Sequence, residues 1–381
     1  MNIKVKRLVA ILCALLLLGV LLAFAQALLL PKYMSDEKKE GALAAEYYTY
    51  AGGHDVLFLG DCEAYETFVP AVLWKETGLT SYVRGGPQQL VWHSYYTLAD
   101  TLRYETPQVV VYNVLALKYG EPQDEAYNRM NIDGLRFSGV KLDCIRASVT
   151  DGESFASYLF PLLRYHARWS ELSGEDFRYL FTRDRVALDG YLPKTAVQPM
   201  GDPGEPPILT DTSLPAHAME YLVKMADLCR ENGIRLILVK APTNSWSYWW
   251  YDEWESQISD YAETHGLSYY NFNTWKYWWY EEWDRQIAAF AKEQDLLYYN
   301  LIPEAEKIGI DWTTDTYDGG VHLNASGAEK TSVYFGALLR DAGIAHRGDI
   351  NEDYWSGQYK AFSELLAENR KQMEHTGGDE K

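Results

Sequence analysis

The residues able to do chemistry fall in two short stretches far apart in the chain. Asp55–Glu66 reads DVLFLGDCEAYE: an apolar run, a break at Gly60, then Asp61, Cys62 and the start of a helical pattern. Asp311–Glu329 reads DWTTDTYDGGVHLNASGAE, where His322 follows Asp315, Asp318 and Gly319-Gly320. Together they offer a sulfur nucleophile, a carboxylate and a base in the chain order Cys, Asp, His. Only the thiolate attacks, and a free thiol ionises near ~8.5. A helix N-terminus and a nearby imidazole lower that value, whereas the flanking carboxylates Asp61 and Glu63 raise it. An activated Cys62 would take an acyl group as a thioester and pass it to water or to a sugar hydroxyl. Most free cysteines are simply small buried hydrophobes, and that is the competing reading of Cys62.

These residues need a scaffold that brings both stretches to one place. Val56–Leu59, Val109–Tyr112 and Leu236–Val239 are short apolar runs of the kind that form strands buried on both faces, and helical patterns lie between them. Strands alternating with helices predict a parallel α/β sheet, whose ligands bind at the C-terminal edge of the strands. Asp61 and Cys62 stand at that edge, and so does Asn113, which ends the run Val109–Asn113. Gly85-Gly86-Pro87 forms a turn after the short strand at Ser81–Arg84.

The flanks and insertions are distinct. Residues 8–30 are apolar except for Gln26, long enough to cross a bilayer at ~1.5 Å rise per residue. Lys4, Lys6 and Arg7 before them place residues 1–7 in the cytosol, so the body is expected outside the cell membrane on a single-pass anchor. Residues 31–50 read as a juxtamembrane linker, 51–345 as the α/β domain and 346–381 as a helix and tail. Within the domain, 119–210 reads as a cap, with an aromatic-rich helix over Ser154–Trp169. Trp246–Phe272 and Trp275–Leu301 are copies offset by 29 residues, identical at 14 of 27 positions. Each copy reads as an aromatic loop, a helix and a strand ending Tyr-Tyr-Asn, one αβ unit duplicated.

Beyond residue 32 there are 31 basic residues against 54 acidic, which excludes a nucleic-acid partner. Four cysteines in 381 residues are no disulfide framework, though a Cys144–Cys229 bond is open on sequence alone. His54, His93, His166 and His217 show no ligand spacing, so neither a metal nor another cofactor is expected.

With Gly60-Asp61-Cys62, Gly86, Asn113 and Asp318…His322-Leu-Asn assembled, the chain from about Asp55 to Leu339 resembles the SGNH/GDSL hydrolase superfamily. The resemblance implies a flavodoxin-like parallel sheet with helices on both faces. It places Cys62 where the family has a nucleophilic Ser and His322 at the catalytic base. It makes Gly86, with Gly85 as the alternative, and Asn113 the oxyanion-hole donors. Two features depart from the family pattern: the nucleophile is Cys, and the nearest acid, Asp318, stands four residues before His322 instead of three, with Asp315 behind it. The implied activity is esterase or O-acyltransferase on acyl esters of a cell-envelope glycan or a small acyl ester, with a membrane acyl-transfer partner in the transfer case. Asp61 and the paired Trp249, Trp250, Trp278 and Trp279 are expected to touch substrate. The rival is a catalytically inactive SGNH-like protein that binds glycan or serves assembly.

Overall fold

A computed structural model describes residues 3–31, 39–49, 52–182, 185–200, 213–243, 279 and 281–376. Five strands form one parallel sheet: β1 (Val56–Gly60), β2 (Ser81–Gly85), β3 (Val109–Asn113), β4 (Arg235–Lys240) and β5 (Leu297–Asn300). Their spatial order is β2-β1-β3-β4-β5, the flavodoxin-like order, so the expected α/β class holds. In this order the sheet's topological switch lies between β1 and β3, beside Cys62 and Asn113.

Helices cover both faces, which is why the central strands are apolar without alternation. On one face, Leu57, Leu59, Val110, Tyr112, Leu236 and Leu238 pack beneath α4 (Val91–Thr101), α10 (Ala216–Glu231) and α11 (Glu281–Glu293). On the other, Val56, Phe58, Val111, Ile237 and Val239 meet α2 (Cys62–Thr67), α3 (Pro70–Thr77) and α12 (Ala325–Asp341). Phe58 stacks on Phe68 at 4.6 Å, and both face Phe335. Pro70 separates α2 from α3 because it lacks the N–H that a continuous helix would use. The chain closes with α13 (Glu352–Thr376), packed on α3 and α12.

At the N-terminus, α1 (Ile3–Leu29) contains an 18-residue stretch of mean hydropathy 3.1 and is long and apolar enough to cross a membrane. The segment after it is not a free linker over its described part: Tyr47 is fully buried, edge-on to Tyr82 and 3.8 Å from the Arg84 guanidinium carbon.

The expected cap begins with α5 (Glu125–Ile132) and α6 (Gly139–Ser148). The single helix expected over Ser154–Trp169 is instead split at Pro161 into α7 (Phe155–Leu159), α8 (Leu162–Tyr165) and a 3-10 turn, His166–Ser170; α9 (Gly174–Tyr179) follows. The chain then returns along the sheet's β2 edge, where Val83 N–H donates to Asp189 O (2.9 Å) and Leu192 N–H to Tyr65 O (2.8 Å). Of the duplicated unit, the second copy supplies α11 and β5, while the first lies outside the described residues.

Candidate active site

Gly60 ends β1 at φ 148°, where a Cβ would stand 2.9 Å from the Asn113 Cβ. Only glycine therefore lets the chain turn this tightly against β3. Asp61 then caps α2, its carboxylate accepting from Glu63 N–H (3.2 Å), and Cys62 becomes the first helical residue.

His322 is held by its own loop and by the segment 194–200. Thr316 Oγ1 accepts from Gly320 N–H (2.8 Å) and donates to His322 O (2.9 Å). Gln198 N–H donates to Thr316 O (3.0 Å), and Ala325 N–H to Lys194 O (2.8 Å). Asp318 grips His322 twice: Oδ1 accepts from the backbone N–H at 2.8 Å, and Oδ2 lies 2.6 Å from Nδ1. With Nδ1–H donating to that carboxylate, Nε2 faces Cys62 Sγ at 2.9 Å. The extra residue between acid and base is absorbed by Gly319 and Gly320, both at positive φ. Cys62, His322 and Asp318 thus form one hydrogen-bonded line.

A cleft of about 370 Å³ opens over this line, walled by Tyr65, Tyr127, Tyr317, Met130, Pro87 and Gln88. Three of its polar residues were not singled out from the sequence. Glu66 lies one turn after Cys62, accepts from Tyr317 O–H (2.8 Å) and reaches within 4.0 Å of His322 Nδ1. Lys194 pairs with both Glu66 (3.5 Å) and Glu40 (3.4 Å). The Tyr317 ring lies nearly parallel to His322, 6.0 Å away. The Cys62-to-Glu66 spacing of four residues, one face of a helix, was the available signal for Glu66.

Other expected site residues lie elsewhere or are committed to the fold. Asn113 is buried; its Nδ2 donates to Asp61 (3.2 Å) and Glu63 (3.1 Å), and its Oδ1 accepts from Ala241 N–H (3.1 Å). Gly86 N–H donates to Gly60 O (3.2 Å), and Gly85 is a paired β2 residue. The expected oxyanion donors are therefore used internally, because two buried carboxylates beneath Asn113 claim its amide. No hydrogen bond from Cys62 N–H is found among the described residues, and Gln88, at φ 49°, lines the cleft two residues beyond Gly86. Asp61 is a buried cap, not a cleft residue. Asp315 turns from His322 to pair with Lys330 (2.6 Å) and accept from Asp311 N–H (2.8 Å). Trp279 packs edge-on to Trp283 (5.7 Å) beside Lys240, while Trp249, Trp250 and Trp278 lie outside the described residues. Cys144 and Cys229 are buried free thiols, unpaired with each other.

Beneath the site runs a buried ion pair: Lys240 Nζ lies 2.7 and 2.8 Å from the two Glu63 oxygens and donates to Ala241 O (2.9 Å). Burial, then the Glu63 charge, pushes the Asp61 carboxyl up to about 7, against the pull of Lys240. Burial likewise pushes the Cys62 thiol up to about 11, although the facing imidazole draws it down. For His322 burial acts downward, but the Cys62 sulfur, Asp318 and Glu66 outweigh it and hold the imidazole well above its usual value. The largest upward pull on His322 comes from the charged sulfur itself, so thiol and imidazole titrate as one pair.

No protein-family profile and no curated protein matches the chain. Among solved structures it is similar to a GDSL-like lipase from Bacteroides thetaiotaomicron VPI-5482 (13% identity, TM-score 0.35, covering 80% of this chain and 100% of that one). It is also similar to an acylhydrolase-like protein from Bacteroides fragilis NCTC 9343 (10% identity, TM-score 0.34, covering 78% and 94%). Likeness at this level assigns no activity, and the chemistry rests on the site's own geometry.

Proposed function

We propose that the protein is an SGNH-like ester hydrolase or O-acyltransferase with Cys62 as nucleophile, His322 as base and Asp318 orienting it. The contact that carries this reading is Cys62 Sγ to His322 Nε2 at 2.9 Å, with Asp318 at 2.6 Å on the opposite ring nitrogen. His322 takes the Sγ proton as sulfur attacks the acyl carbonyl. The tetrahedral intermediate collapses to a Cys62 thioester, and the leaving alcohol takes the proton back from Nε2. Water or a sugar hydroxyl then attacks the thioester by the same route in reverse, releasing the Cys62 thiol. Cys62 N–H is the first donor to the oxyanion, and the Gln88 amide is the side-chain donor that replaces the expected Gly86 and Asn113.

An acyl ester on a cell-envelope glycan is the substrate we favour. Support comes from the tyrosine-walled cleft, whose rings suit sugar faces, and from α1, which as an N-in anchor would hold the domain outside the cell membrane. The second reading, a glycan-binding protein without catalysis, draws on the upward-shifted Cys62 thiol and the carboxylates around it.

The test is turnover of p-nitrophenyl acetate and of an O-acetylated glycan by the full chain, with mass spectrometry of Cys62. A trapped thioester, lost with turnover in Cys62→Ala, supports the enzyme. No turnover at alkaline pH, together with a Cys62 no more reactive than a model thiol in wild type and in His322→Ala, leaves the binding reading.

A further inference from the structure

Large apolar side chains are exposed on consecutive short elements of the cap. Trp169 is 73% exposed and Phe181 86%, and Phe160, Leu163 and Phe177 are exposed with them. A protein surface in water rarely keeps so many without a use for them. These elements are also the ones that hold the end of α1. The helix packs against α8, the turn His166–Ser170 and α9. Arg168 Nη1 donates to Leu29 O (2.7 Å), and Gln26 Nε2 to Leu159 O (3.5 Å).

Length fixes the level at which this happens. A hydrocarbon core of about 30 Å needs ~20 helical residues, so a span starting at Leu8 is complete near Ala27. Leu28 and Leu29, the buried end of α1, and every element touching them then stand at the outer headgroup level. The composition suits that level: Trp169 is of a residue type that gathers at membrane interfaces, and the phenylalanines beside it extend the apolar face. Among residues 155–182 three arginines balance three acidic residues, unlike the strongly acidic body, so anionic lipid does not repel this face. Arg168 is paired with Asp176 (3.0 Å) and Arg178 with Glu175 (2.7 Å).

We propose that the face formed by Phe160, Leu163, Trp169, Phe177 and Phe181 is seated in the outer lipid interface around the emerging α1. The cap is then a second membrane contact, and the occupant of the exposed apolar face is lipid.

The test uses the full chain in vesicles of phosphatidylcholine and phosphatidylglycerol. Spin labels are placed through Trp169→Cys, Phe181→Cys and, as a control on exposed α12, Val333→Cys, with Cys13→Ala and Cys62→Ser removing the accessible native thiols. The expected result is an oxygen-to-nickel accessibility ratio several-fold higher at 169 and 181 than at 333. Equal, water-like ratios at all three positions would overturn the proposal, and a protein partner as the natural occupant would give that outcome. Shielding of 169 and 181 from both reagents with spin–spin broadening would overturn it too, marking a contact between copies.

Discussion

Glu66 Oε2 stands 4.0 Å from His322 Nδ1, the same nitrogen that Asp318 Oδ2 meets at 2.6 Å. Two carboxylates therefore act on one imidazole, and both favour its protonated form. Removing the more distant one should ease deprotonation without disturbing the ring's orientation. In Glu66→Gln the alkaline rise of kcat/KM is expected to move to lower pH, with the fold intact by circular dichroism. An unchanged profile would show that Glu66 is electrostatically silent.

Asp318→Asn removes charge and orientation together. Its profile should also move to lower pH, but kcat should fall by about 10²–10⁴, the usual scale of a general-base contribution. Stopped assays across pH, comparing this variant with Glu66→Gln, separate the two carboxylates. Equal losses in both would contradict the distinct roles their distances imply.

The reactivity of Cys62 should rise with pH instead of levelling off in the acid range. Burial pushes its thiol up toward about 11, so iodoacetamide should alkylate it faster with each step above neutral. Alkylation that reaches its plateau below pH 7 would mean that the His322 contact already forms a stable ion pair.

The ion pair under the site carries a stability cost if broken. Lys240 is fully buried and Glu63 nearly so. Lys240→Met removes the buried cation that meets both Glu63 oxygens, which should destabilise the domain by about 3–5 kcal/mol. Adding Glu63→Gln should recover much of that loss. Denaturant melts of the single and double variants measure the difference, and a single variant as stable as wild type would refute the assignment.

Gly60→Ala tests the turn itself. Its Cβ would meet the Asn113 and Ala64 side chains at 2.9 and 3.1 Å, at a φ that L-residues rarely adopt. A loss of about 1–3 kcal/mol is expected, with a larger loss of turnover because Cys62 follows two residues later. Wild-type turnover in this variant would mean that the turn relaxes without moving the sulfur.

What could be read beforehand depended on how local the cause was. The strands at Val56–Gly60 and Val109–Asn113 were legible because burial on both faces demands unbroken apolar runs. The Asp318–His322 contact was legible because both residues share one short loop. The partners of Asn113 were not legible because a remote residue fixes them: Lys240 holds Glu63 in place, and Glu63 with Asp61 takes the amide. Glu66 was missed although its spacing from Cys62 was visible, since nothing local says that Tyr317 and His322 close over it. The aromatic run around Ser154–Trp169 hid a break because Pro161 and the contact with α1 override its helical pattern.

Arg164 bonds Glu125 at 3.1 Å, and the next two residues, Ala126 and Tyr127, line the cleft. Arg164 belongs to α8, which packs on α1, so α1 and the cleft rim are joined through packed elements. Were α1 to cross a bilayer, a cleft tied to it in this way would stand at one height above the lipid instead of sampling a volume.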